Sequence, residues 1–314
     1  MNAPIGSDNW GIDALVPDSS NAFCLSASPA VAVYRNKLYC VRQGRGGSGW
    51  VWCATFDGSS WSSDQLIKND DHAYGISGSP ALAVFNDKLY CIRQGRGNSG
   101  WIWCATFDGN AWSDDQLIPN NDHAYGISGS PALAVFNDKL YCVHQGRSDS
   151  GWLWCATFDG NSWSADQLIP HSNNAYGLSA SPALAVYNGK LYCARQGRDD
   201  SGWVWCSTFD GNSWSDDKLI PTPGNAYGVS DSPALASFQN KLYCARQGRG
   251  NSGWIWCATF DGQSWTNDRL IPSSNNAYGI SGSPALVEFN GQLYCFHQGR
   301  GNDGWLWCGA LPSA

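Results

Sequence analysis

Six times along the chain an arginine closes a Gln-Gly-Arg triplet, at Arg45, Arg96, Arg147, Arg198, Arg249 and Arg300. Five positions after each comes a tryptophan: Trp50, Trp101, Trp152, Trp203, Trp254 and Trp305. A second set recurs between these copies, Tyr74, Tyr125, Tyr176, Tyr227 and Tyr278, with Phe23 as the variant. Two positions before each lies an imidazole or amide, at His72, His123, Asn174, Asn225, Asn276 and Asn21. A planar aromatic beside a guanidinium and such groups suits a sugar, whose C–H face packs on a ring while its hydroxyls need fixed donors and acceptors. The opposing reading gives each arginine to a salt bridge or a carbonyl brace within its own loop. Arg42, Arg93, Arg195 and Arg246, replaced by His144 and His297 in two copies, lie one turn inward and are expected to line the same pocket.

Catalytic chemistry finds less to work with. Glycoside hydrolysis usually needs two carboxylates in separate roles. The chain has one glutamate, Glu288, and its aspartates sit mostly in turns. Thr55-x-Asp57-Gly58-x-x-Trp61 resembles the sialidase Asp-box but is one residue short. A catalytic pocket must also carry what its copies lack, and no concentrated deviation is visible. The expectation is therefore no enzymatic activity. No histidine repeats beside the cysteines, so neither a zinc site nor any other cofactor is expected.

These groups need a scaffold, and the scaffold is a repeat. A Ser-Pro pair recurs at Ser28, Ser79, Ser130, Ser181, Ser232 and Ser283, always 51 residues on. Fixed periods of this size mark solenoids, propellers or arrays. Each unit reads as four β-type runs, 80–85, 88–94, 101–107 and 111–118 in the second copy, separated by Asn-Asp, a Gly-rich loop and Asp-Gly-Asn. Four strands per unit, six times, predicts a six-bladed all-β propeller, read as a single domain over 1–314. The sixth unit stops after its third strand, while Trp10 and Leu15-Val16 sit 51 residues before Trp61 and Leu66-Ile67. Residues 9–17 are therefore expected to supply the outer strand of the last blade and close the ring. Loops joining strands two to three, and four to the next blade, emerge on one face; they carry the Gln-Gly-Arg arginines, the tryptophans that follow them and the Tyr, Phe, His and Asn set.

Composition narrows the partners. A formal net charge of −7 argues against nucleic acid and anionic membrane surfaces. No apolar run is long enough to span a bilayer, so no membrane insertion is expected. The opening Met-Asn-Ala-Pro-Ile-Gly has no basic and apolar leader, which points to a cytoplasmic protein or one released without a classical signal peptide. Of 13 cysteines, six follow a second-strand tyrosine (Cys40 and its equivalents) and six a third-strand tryptophan (Cys53 and its equivalents); Cys24 is the odd one. A turn centred between Gly46 and Gly47 would put Cys40 opposite Cys53, within reach of a cross-strand disulfide. Reduced, buried thiols are the expectation.

The second-strand tyrosine and the Phe-Asp-Gly-Ser-Ser-Trp segment at 56–61 resemble the six-bladed fungal fucose-specific lectins and their bacterial relatives. The resemblance implies the propeller and a bound monosaccharide. It places the family's sugar-holding arginine at Lys37 and its glutamate at Cys53, so this chain has neither, and the loop arginines stand in their place. Period also matches kelch rings, but Gln-Gly-Arg occupies the position of their glycine doublet. The expectation is a multivalent lectin whose partners are glycans, with up to six pockets between blades on the long-loop face. The alternatives are a protein-interaction ring and, behind it, a sialidase-like enzyme. No oligomeric state follows from the sequence.

Overall fold

The computed structural model describes residues 10–16, 25–67, 75–118, 126–169, 178–220, 229–272 and 280–313. They form six four-stranded antiparallel sheets arranged as the blades of a propeller. In the first blade the strands are Ala30–Tyr34, Lys37–Gln43, Val51–Phe56 and Gln65–Leu66, running from the axis outward. The tight turns between the first two strands use paired left-handed residues, Arg35-Asn36 and Asn86-Asp87 in the first two blades. Two positive φ angles in succession give the type I′ hairpin, which asparagine tolerates better than other side chains.

The Ser-Pro pairs line a central channel of about 920 Å³. There the backbone N–H of Ser79 donates to Ser130 Oγ, that of Ser130 to Ser181 Oγ, and that of Ser283 to Ser28 Oγ, each at 2.8 Å. The innermost strands are thereby tied around the axis rather than merely packed.

The outer strand is shorter than expected. In the second blade only Gln116–Leu117 pairs with the third strand, not the whole of 111–118. The preceding residues turn on side-chain bonds instead. Asp108 Oδ1 accepts the N–H groups of Asn110 and Ala111, and Ser113 Oγ accepts that of Thr106. Trp112 bridges back to Phe107, with ring centroids 5.3 Å apart. A short polar side chain that bonds its own backbone competes with the ladder and ends it.

Ring closure is as expected. Ala14 and Leu15 pair with Cys308 and Trp307, so the N-terminal segment completes the last blade. Trp10 and Val16 are buried there.

The cysteines differ from the facing geometry. Cys40 pairs in register with Ala54, and Val41 with Cys53, so the turn is centred on Gly47 and the two thiols lie on opposite faces of the sheet. Each packs against a neighbouring blade. Cys53 shares a core cluster with Cys91, Cys104 with Cys142, and Cys40 with Cys308. All twelve described cysteines are free, and all but Cys308 are buried.

Candidate functional site

The Gln-Gly-Arg triplet splits into three jobs. Gln43 is buried, and its Nε2 donates to the Ile76 carbonyl of the next blade at 2.9 Å. Gln94, Gln145, Gln196 and Gln247 do the same for Ile127, Leu178, Val229 and Ile280, and Gln298 reaches Leu25 across the seam. Sequence reasoning passed over these glutamines, although their invariance across six copies was the available signal. The glycine comes next because its Cα lies against a tryptophan: a Cβ on Gly44 would stand 2.9 Å from Trp52 Nε1. The arginine is exposed.

Where that arginine goes decides the site. A Cβ on Gly49 would meet Arg96 Cδ and Nε at 2.9 Å, so the side chain of the second blade's arginine lies across the first blade's loop. Gly49 has φ +78, a region where only glycine is unstrained. Gly100 receives Arg147, Gly151 receives Arg198, Gly202 receives Arg249 and Gly253 receives Arg300 in the same way. Arg96 thus shares a cavity of about 250 Å³ with Ser48, Gly49, Trp50 and Gly75. The pairing is between blades: Trp50 with Arg96, Trp101 with Arg147, Trp152 with Arg198, Trp203 with Arg249, Trp254 with Arg300. At the seam Leu25 N–H bonds to the Gly304 carbonyl, as Ile76 does to Gly49.

The tryptophans are partly exposed. Trp50, Trp101, Trp152, Trp203 and Trp254 are 39–44% exposed in a chain whose other repeated tryptophans are largely enclosed. Each backbone N–H is held by the loop serine two residues earlier, Ser48 Oγ to Trp50 at 3.2 Å. The last blade differs: Asp303 takes the serine's place and holds Trp305 through Oδ1 at 2.9 Å.

His72, His123, Asn174, Asn225, Asn276, Tyr74, Tyr125, Tyr176, Tyr227, Tyr278, Phe23 and Cys24 lie outside the described residues. Gly75, which follows Tyr74, does line the cavity, and a Cβ there would collide with the Gly49 carbonyl. The inner arginines do not line it, contrary to expectation. Arg42, Arg93, Arg195 and Arg246 are buried and paired with Asp64, Asp115, Asp217 and Asp268, which precede the outer strand of their own blades. His144 faces Asp166 at 3.3 Å in the same role. These groups anchor the outer strand, because a cation taken from water must find its anion inside the blade. Lys37 is exposed at the short-turn end, and Cys53 is in the core, so the positions implied by the lectin resemblance form no joint site.

On the opposite face the Asp-Gly turns are structural. Backbone N–H groups of Ser60 and Ser59 hold the Asp57 carboxyl well below the usual carboxylate range.

No protein-family model matches the chain, and no curated protein matches it. Solved structures do. A Dyadobacter fermentans protein of unknown function superposes with a TM-score of 0.71 at 10% identity, over 96% of this chain and 98% of its own. The Aleuria aurantia lectin, solved with Fucα1-6GlcNAc, gives 0.62 at 14%, over 93% and 97%. The phage phi92 endosialidase gives 0.65 at 12%, over 98% of this chain and 69% of its own. The likeness is one of fold. The resemblance to six-bladed fucose lectins therefore holds as architecture. The expectation of no enzymatic activity is corrected: this fold is shared with sialidases and arabinofuranosidase- and galactanase-type propellers as well as with a lectin, so enzyme status is open.

Proposed function

We propose that the ring is a multivalent glycan-binding protein, with up to six pockets, each closed by the tryptophan of one blade and the arginine of the next. The observation that carries this reading is the cavity of about 250 Å³ where Trp50 shows an open face beside Arg96 and Ser48. Surface tryptophan is costly to leave in water, and five tryptophans 39–44% exposed at equivalent places support a common ligand. Pockets for drug-sized ligands run to about 300–1,000 Å³, so this one suits a single sugar ring. The ring then sits with its C–H face on the indole while Arg96 and Ser48 take its oxygens. Repeating a weak site around one ring converts it into avidity for a dense glycan surface, by about 10²–10⁴ over one site. The test is a glycan array with the full chain, followed by calorimetry with the best free sugar. Binding to the immobilised glycan well above that to the free sugar is expected. Signal no different from a glycan-free surface would overturn the reading.

A further inference from the structure

We infer that the pockets select acidic sugars, those bearing a carboxylate or a sulfate; this rests on the glycan-binding reading above. Buried Arg42, Arg93, Arg195 and Arg246 each meet an aspartate, and surface Arg35 meets Asp87 at 2.7 Å. On the short-turn face the carboxyls of Asp159, Asp210 and Asp261 are lowered chiefly by backbone N–H groups of their own turns, with Lys139, Lys190 and Lys241 near enough to add a smaller share. Among the described residues no such anion faces Arg45, Arg96, Arg147, Arg249 or Arg300. That is unusual in a chain with 26 acidic residues against 19 basic ones.

Nor are these arginines loosely held. The Arg96 stem is seated on Gly49, a left-handed glycine whose missing Cβ makes room for it. A guanidinium fixed beside an indole face and facing no anion among the described residues is half of a charge pair. Its planar fork matches a carboxylate or a sulfate with two parallel hydrogen bonds, stronger than those to neutral hydroxyls. Ser48 Oγ accepts from the Trp50 N–H and so retains its own O–H to donate to the same ligand.

The ring is graded. In the Trp305 pocket Asp303 replaces serine, and in the Trp152 pocket Asp199 stands 3.9 Å from Arg198. Both place a negative charge where the ligand's would go. The Trp50, Trp101, Trp203 and Trp254 pockets are the strong ones.

The experiment titrates the full chain by calorimetry with matched pairs: methyl glucuronoside against its methyl ester, sialic acid methyl glycoside against its methyl ester, and galactose 6-sulfate against galactose. The acid of at least one pair should bind about tenfold tighter than its neutral partner at low salt. That margin should shrink as salt rises to about 0.5 M. Preference in the carboxylate pairs alone, or in the sulfate pair alone, identifies the group and sustains the proposal. Arg96→Gln should cost one site its acid preference, whereas Lys88→Gln on the opposite face should change nothing. Equal binding of acids and neutral partners overturns the proposal and leaves the lectin reading intact. Binding of no sugar in this set or on the array overturns both.

Discussion

His297 Nε2 lies 3.1 Å from the carboxylate of Asp13, two buried residues 284 positions apart. The same contact is made inside the third blade by His144 and Asp166, only 22 positions apart. The seam is thus built like the interior of a blade, with the N-terminus in the place of a fourth strand.

Removing residues 1–17 should therefore open the ring. Trp10 and Val16 leave the core and His297 loses its acid. Losing one buried aromatic alone costs about 3–5 kcal/mol. A fall in melting temperature on the order of 10 °C or more is expected by calorimetric scanning. An unchanged melting curve would remove the seam from the account.

Within a blade, Arg93→Ala takes the guanidinium from Asp115 and should cost about 3–5 kcal/mol in denaturant unfolding. Arg93→His copies what the third and sixth blades already carry and should cost much less. Sugar binding by either folded variant should be close to that of the parent, since Arg93 does not itself line the cavity and meets it through a 3.2 Å hydrogen bond from its Nε to the carbonyl of the lining Gly75. If Arg93→Ala empties a site, the inner arginines belong to the pocket after all.

The thiols set the alkaline limit. Burial raises Cys40, Cys91 and Cys244 to about 11 and Cys104, Cys193 and Cys295 to about 12. An unfolded thiol ionises near about 8.5. Their contribution is therefore complete below that pH and is lost as pH rises towards 11–12, by up to ~1.4 kcal/mol per pH unit for each thiol. Denaturant midpoints should hold between pH 6 and 8 and fall steeply above about 9. Cys91→Ala should make that fall shallower. A flat profile to pH 10.5 would show that the thiols are not held protonated.

Two glycines in one loop separate backbone strain from pocket shape. Gly46 and Gly49 have φ of +71 and +78, but a Cβ on Gly46 meets nothing within 4 Å, whereas one on Gly49 meets Arg96. Both alanine variants should lose about 1 kcal/mol of stability. Only Gly49→Ala should also weaken the Trp50 site, read as one fewer tight site in a titration.

The repeat made the blades, their number and the seam legible, because a 51-residue period with complementary ends admits few closed rings. Strand alternation also put the arginines and tryptophans on the same face, where the structure places them. What it could not supply was partnership. Arg96 and Trp101 are five positions apart and share a loop, yet they serve different cavities, since the arginine reaches back over Gly49 while the tryptophan faces forward to Arg147. Arg42 and Arg45 look alike in the sequence, and only the two-residue periodicity of the strand sends one into the blade and leaves the other on the loop. The outer strands were overestimated because an aspartate turn and an extended strand share the same apolar markers, Trp112 and Leu117. A half-residue error in the turn centre was enough to move Cys53 from Cys40 to Cys91.

The pairing across blades is tested most directly by calorimetric stoichiometry on two double variants. Trp50→Ala/Arg96→Ala removes both walls of one cavity and should lower the number of sites by about one. Arg96→Ala/Trp101→Ala removes one wall from each of two cavities and should lower it by about two, with both proteins melting near the parent. The reverse order, two sites lost by the first and one by the second, would place each pocket within a single blade's loop and contradict the account.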